Sequence, residues 1–269
     1  MTKTKSGLKP GVYIIRKKDG TPIYRSSVTK KGKHISLGSF ATEDAAHEAY
    51  REALRCLEDT SLLPDTFPAD SPLPFTKAIP LMNLRDNGIY FGAPIYLEKR
   101  DFLYYLDHDD IYRFDIDDLF YYASHRIMRR GGRLFVADYG SQVGVMSRLG
   151  IRSFAVAGRD YLFRNGDDHD LRRENIEIIN RFRGVLRTEE RGFQRYRTVI
   201  HVRGNFIVGT YDTEEEAAIA YNKAADILTR NGIGKKYEQN YVENVGPAKY
   251  AEIYSNLPIS EKILQLRGR

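Results

Sequence analysis

The sequence predicts an α+β chain in which two small sheet-and-helix modules stand on either side of a middle domain. Three observations predict it. A pattern of extended segments, a tight turn and one helix occurs twice, with Thr42 of one copy matching Thr213 of the other. A proline-rich stretch follows the first copy, and the residues between the copies have a different, tyrosine-rich composition. Copies spaced this far apart are not a solenoid, whose units stack at periods of roughly 20 to 50 residues. The division expected is a first module over 1–60, a linker over 61–80, a middle domain over 81–180, a second module over 181–245 and a tail over 246–269.

Residues 1–10 (MTKTKSGLKP) are basic and polar, the composition of a frayed terminus or of an arm that follows a polyanion. The second module is the clearer copy. Tyr196 to Val202 is rich in β-formers, Arg203-Gly204-Asn205 is turn chemistry, and Phe206 to Tyr211 runs extended again. Thr213 then caps a helix, with Glu216 at the capping-box spacing. Ala217, Ala220, Tyr221, Ala224, Ala225 and Leu228 recur at three- and four-residue steps and make one apolar face of small residues, which lets the helix lie close on a sheet. In the first copy Tyr24-Arg25, Gly32, Gly38, Thr42, Ala46, Ala49, Tyr50, Ala53 and Leu57 fill the corresponding positions. The free face of the second sheet is expected to carry Arg183, Arg187, Arg195 and Arg197, a shape suited to a DNA groove.

The five prolines over 61–80 suggest a stiff linker. In the middle domain, Asn87-Gly88 between apolar runs suggests a hairpin. Helical segments are expected over Phe102–Leu106 and Asp115–Tyr122, and a strand over RLFVADY (133–139). The tyrosines over 89–122 are read either as a core with satisfied hydroxyls or as a stacking surface for unpaired bases.

The net charge is +6, from 42 basic and 36 acidic residues, so the distribution of charge says more than its total. The single cysteine, Cys56, excludes an internal disulfide and a cysteine zinc site, and its place by the apolar helix face suggests a buried thiol. No apolar run is long enough to span a membrane and no signal peptide is seen, so no membrane partner is expected, and the expected location is cytoplasmic, or nuclear if the host has a nucleus. The oligomeric state is not legible.

Both copies resemble the APETALA-type (ethylene-response-factor) DNA-binding domain, which also occurs in homing endonucleases. The residues that carry the resemblance are the aromatic-Arg strand, the glycine turn, Thr-Glu before the helix and the alanine-rich helix with its tyrosine. Phe182-Arg183-Gly184-Val185 matches the family's opening strand, and Gly11-Val12-Tyr13 stands there in the first copy. The resemblance implies a three-stranded sheet lying in the major groove of double-stranded DNA. It implies contacts from Arg183, Arg187, Arg195 and Arg197, and from Arg16, Lys18 and Arg25 in the first copy.

Residues 160–179 (DYLFRNGDDHDLRRENIEII) resemble the core of an HNH endonuclease, with Asn165, Gly166, Asp167, Asp170, Arg172, Asn175 and Ile176 at matching offsets. The order of module, HNH-like segment and module also matches a homing-endonuclease arrangement. The implied fold class is α+β, with two small three-stranded-sheet-plus-helix DNA-binding modules flanking a degenerate HNH (ββα-metal-like) domain. The chemistry departs from the pattern. Phosphodiester hydrolysis in that fold needs a base and a divalent metal. Phe163 stands where the family has its histidine base, Leu162 replaces the acidic ligand, and Val143–Arg148 contains no histidine. Asn175 is given a structural role.

The expected function is therefore sequence-specific binding of double-stranded DNA without catalysis. That fits a transcriptional repressor or regulator of phage or mobile-element origin, with no cofactor and no metal. An alternative is an active metal-dependent HNH-type homing endonuclease that uses His169 among Asp167, Asp168 and Asp170. These aspartates read equally as turn and N-cap residues before a helix over Leu171–Ile179. A third reading, binding of RNA or single strands through the tyrosines, conflicts with a sheet shaped for the B-form major groove.

Overall fold

The computed structural model describes residues 7–138 and 140–268. The fold is mixed α+β, built from several small antiparallel sheets, four of them three-stranded, and from helices. The described residues divide into two compact units. One runs to Val145 and includes Asp167–Asn175, and the other comprises Met146–Gly166 and the chain from Ile176 onward.

The first unit opens with strands β1 (Val12–Arg16), β2 (Pro22–Lys30) and β3 (Lys33–Phe40), hydrogen-bonded in that order, followed by helix α1 (Glu43–Glu58). Thr42 caps α1 by accepting from the Ala45 N–H at 3.2 Å. Ala46, Ala49, Ala53, Cys56 and Leu57 line the buried face of α1, and Val28, Ile35 and Leu37 are buried on the sheet.

The residues expected to form a linker are instead part of this core. Leu62, Phe67, Leu73 and Ala78 are buried with the α1 residues, and helix α2 (Phe75–Asn87) adds Leu81, Met82 and Leu84. Proline does not prevent this. Pro64 begins a short 3-10 turn and Pro74 is the N-cap of α2, positions where a missing N–H costs nothing. Arg85 reaches from α2 to the carbonyls of Cys56, Asp59 and Leu62, closing the connection. Asn87-Gly88 is not a hairpin turn but the end of α2. Gly88 has a left-handed φ of 75° and donates to the Leu84 carbonyl at 3.1 Å. Helix C-caps and tight hairpins use the same left-handed residue, so the dipeptide does not separate them.

Strands β4 (Ile95–Leu97), β5 (Asp101–Asp107) and β6 (Asp110–Asp115) form the next sheet. The helix expected over Phe102–Leu106 is thus a strand. Aromatic and aliphatic β-formers, paired on both sides, outweigh a short helical pattern. A 3-10 turn (Ile116–Asp118) and helix α3 (Leu119–Ser124) follow, which is the helical segment expected near 115–122. Tyr104, Tyr105, Tyr112 and Tyr122 are buried, and the Tyr104 hydroxyl accepts from the Ile127 N–H at 3.0 Å. These tyrosines are core. Strands β7 (Ile127–Arg130), β8 (Arg133–Asp138) and β9 (Ser141–Gly144) form a third sheet, and α4 (Val145–Arg148) is a single turn. The strand read at RLFVADY is β8, with Tyr139 outside the described residues.

In the second unit, β10 (Tyr161–Phe163) pairs with β11 (Ile176–Ile178). A 3-10 turn (Arg173–Asn175), which belongs to the first unit, and β11 occupy the stretch expected as a helix over Leu171–Ile179, because Ile176 and Ile178 pair with Phe163 and Tyr161. Strands β12 (Val185–Glu190), β13 (Phe193–His201) and β14 (Asn205–Tyr211) form the second copy of the sheet, backed by α5 (Glu214–Arg230). Thr213 and Glu216 make the expected reciprocal capping box. The tail adds α6 (Pro247–Asn256) and α7 (Glu261–Gln265) and packs on this core, with Ile263 fully buried and the Ser260 N–H on the Val208 carbonyl of β14 at 2.9 Å. The 81–180 stretch does not stand as one body. Its HNH-like residues are divided between the two units, and the basic arm expected over 1–10 lies outside the described residues as far as residue 6. No described helix is long and apolar enough to cross a membrane.

Candidate nucleic-acid interface

In an antiparallel sheet, cross-strand partners share a face and successive residues alternate. The register therefore assigns each expected contact residue to a side. In the second sheet Val185 pairs with Thr198, and both are buried against α5, where the Thr198 hydroxyl donates to the Ala217 carbonyl at 2.8 Å. The opposite, open face carries Arg197 with Leu186 and Thr210 on either side, and Arg195 beside Thr188. Beyond a bulge at Thr198/Val199 the open face continues through the Val199–Ile207 and His201–Asn205 pairs. Ile207 is 54% exposed and Phe193, at the start of β13, is 73% exposed.

Of the four arginines expected on this face, two are there. Arg187 pairs with Tyr196 and so falls on the helix side, where it is exposed at the rim. Arg183 precedes β12. Its guanidinium lies 4.6 Å from the centre of the Phe154 ring and pairs with Glu238, while its N–H donates to Asn240 Oδ1 at 2.8 Å. The alternation of strand faces is the cause. A period of two cannot put 186, 188 and 187 on one side, and the open-face positions of β12 hold Leu186 and Thr188 instead.

Arg195 pairs with Asp212, and Arg197 Nη2 lies 3.4 Å from Glu190 Oε1. Both carboxylates are well exposed. Ion pairs of this kind contribute about 0–1 kcal/mol in water, so an incoming phosphate or base edge displaces them at little cost. Arginine forks next to apolar side chains suit the major groove, where guanine offers two acceptors and thymine a methyl group.

The first sheet places one of its three expected residues on the open face. Arg25 pairs with Tyr13 and Ser39, and its Nε lies 3.4 Å from Ser39 Oγ. Arg16 pairs with Pro22 on the helix side and donates to the Gly20 carbonyl at 3.2 Å. Lys18 is exposed in the turn that follows β1. The remaining open-face positions are Ile15, Ile23, Ser27, Thr29, His34 and Ser36.

At the HNH-like stretch, Phe163 pairs with Ile176 and packs edge-on to Tyr161, with no acid–base group at that position. Asn175 is buried and donates to the carbonyls of Asp170 at 2.8 Å and Asp167 at 3.1 Å, so its amide closes the loop. Asp170 binds Arg172 at 2.6 Å, and Arg113 and Arg172 share Asp101, which ties the loop to β5 and β6. Hydrogen bonding to Asp170 raises the Arg172 pKa, so this guanidinium stays charged. His169 stacks on Tyr112 with ring centres 4.7 Å apart, and its Nδ1 lies 2.9 Å from Asp168. Potential ligand atoms of Asp167, Asp168 and His169 lie within 4.8 Å of one another, with both aspartates exposed. His108, which has no partner legible in the sequence, stacks on Phe75 at 3.7 Å.

Residues not anticipated on the open face are Leu186, Thr188, Phe193, Val199 and Ile207. The signal that finds them is the hairpin register, once Val185 and Thr198 are recognised as buried. Comparison with protein-family models, with curated proteins and with solved structures finds no match.

Proposed function

We propose that this chain binds double-stranded DNA sequence-specifically through the open face of its second sheet and does not cut it. In this reading it descends from an HNH homing endonuclease and acts by occupancy, as a repressor or regulator of phage or mobile-element type. The observation that carries the reading is the pairing of Arg195 and Arg197 with exposed apolar side chains on one face of a helix-backed sheet. The non-catalytic part rests on Phe163 and Leu162, which cannot accept a proton or hold a metal ion.

Fragmented DNA from the source genome, retained by the full chain with and without Mg²⁺ or Mn²⁺ and then sequenced, tests both parts. Enrichment of one or a few duplex sites without new ends is the expected result. Metal-dependent ends beside an enriched site would make it a nuclease and give the exposed Asp167–Asp168–His169 group a role in binding the ion.

A further inference from the structure

A cleft of about 600 Å³ lies in the second unit beside the open face. One wall is open-face sheet, with Leu186, Val199 and His201. The other walls combine the edge of the module, with Val185 and Tyr221 of α5, and chain outside the repeat, which brings in Arg159, Lys235 and Lys236, with Arg183 at the base of β12. Against these four cations stand two carboxylates, Asp160 and Glu238. Asp160 is buried and holds Arg159 at 2.6 Å, whereas Glu238 is exposed and pairs with Arg183.

The backbone at Arg159 and Arg183 is fixed. Asn180, buried, donates to the Arg159 carbonyl at 2.7 Å and accepts from the Arg187 N–H at 2.7 Å, linking the Arg159 wall to β12. Asn222, also buried, donates to the Asn240 carbonyl and accepts from its N–H, and the Asn240 side chain bonds both backbone groups of Arg183. Lys235 donates to the His201 carbonyl at 2.8 Å. Cations on an anchored backbone lose less freedom on binding an anion than cations on a loose loop.

We propose that this cleft binds the sugar-phosphate backbone of the same duplex whose groove the open face enters. The inference rests on the DNA-binding reading above. It assigns the affinity-giving phosphate contacts to Arg159, Arg183, Lys235 and Lys236, leaving base discrimination to the sheet. Among the described residues, the chain that follows the first module's helix supplies no counterpart. After α1 the chain carries no lysine or arginine from 59 to 76, and it carries Asp59, Asp65 and Asp70, whereas Lys235 and Lys236 come soon after α5.

The test compares the wild-type chain with a Lys235→Ala/Lys236→Ala double variant on a selected duplex and on a shuffled one, between 50 and 200 mM salt. The expected result is weaker binding by the same factor on both duplexes, about tenfold at low salt. The slope of log K against log salt falls by about 2, close to one for each phosphate no longer neutralised. Lys235→Arg/Lys236→Arg retains binding, and Glu238→Gln, which frees Arg183, tightens it on both duplexes. Lys236→Glu gives the same loss while leaving the Lys235 hydrogen bond in place. Unchanged affinity and slope in the double variant, with preference still relaxed at one base position in Arg197→Ala, overturns the cleft proposal and leaves the sheet reading standing. A wild-type chain that binds no duplex overturns both.

Discussion

In the first module Gly11 sits beneath the ring of Tyr50, and in the second Gly184 sits beneath Tyr221, each with a left-handed φ, 77° and 72°. In both, that glycine's carbonyl accepts from the middle strand just past a bulge, from Ser27 in one and Val199 in the other. A buried hydroxyl residue stands at each bulge, Ser26 and Thr198. The two interiors are thus built alike at the glycine and at the bulge, down to the backbone hydrogen bond between them. The open faces are not. Arg25 is the one arginine among neutral residues on the open face of the first sheet, while that of the second has Arg195 and Arg197 with Leu186 and Ile207. Burial constrains a core residue at every atom, whereas an open-face residue is constrained only by what it contacts, so the faces are free to diverge.

The glycines offer the severest break of this comparison. A Cβ at either position overlaps the tyrosine ring, and the left-handed backbone disfavours any L side chain. Gly184→Ala and Gly11→Ala should each destabilise their module by about 2–4 kcal/mol, read from denaturation midpoints. A loss at one position only would mean the interiors are less alike than their hydrogen bonds suggest.

Next in size is the difference between the faces. Arg197→Ala should weaken binding to a selected duplex by about 1–3 kcal/mol and relax preference at one base position, as measured by titration against single-base variants. Arg25→Ala, at the matching site, should cost less and relax nothing. An equal loss on every sequence from Arg197→Ala would assign that arginine to a phosphate.

The bulge hydroxyls sharpen the comparison on a smaller scale. Thr198 Oγ1 donates to Ala217, but Ser26 Oγ is buried with no hydrogen-bond partner. Thr198→Val should cost about 1 kcal/mol, and Ser26→Ala should be neutral or stabilising, since it removes an unsatisfied group. Thermal unfolding of the two variants decides this.

The smallest effect near neutral pH belongs to Cys56, fully buried in the first module where the second has Ile227. Burial pushes its pKa from an ordinary 9.0 up to about 12. The folded state then holds a proton that the unfolded state releases. Its contribution to stability is complete below pH 9.0 and is lost as pH rises to about 12. A thiol reagent at pH 8 should leave the native chain unmodified and react on unfolding. Rapid native labelling would contradict the burial.

The repeat, both helix caps and the apolar helix faces were legible because their signals are local: a Thr at the cap and small residues at helical steps. The proline stretch misled because Pro64 and Pro74 suit helix starts as well as linkers. Asn87-Gly88 misled because the left-handed glycine is common to hairpins and helix ends, and only packing of Leu81 and Leu84 selects the helix. Phe102–Leu106 became a strand through hairpin partners on both sides, β4 and β6, whose pairing the pattern of the segment alone does not carry. At the candidate site, Arg195 and Arg197 were legible as a pair two residues apart on one strand. Arg187 and Arg16 were not assignable without register, because a shift of one residue exchanges the faces. The cleft cations were missed because Arg159 and Lys235 come together only through the tertiary fold.

The central claim is that the second sheet reads sequence and the first does not. Selecting bound duplexes from a random pool with the wild-type chain, Arg197→Ala and Arg25→Ala tests it most directly. The account predicts one motif for the wild-type chain, the same motif for Arg25→Ala, and a motif degenerate at one position for Arg197→Ala. A motif erased by Arg25→Ala and untouched by Arg197→Ala would contradict it.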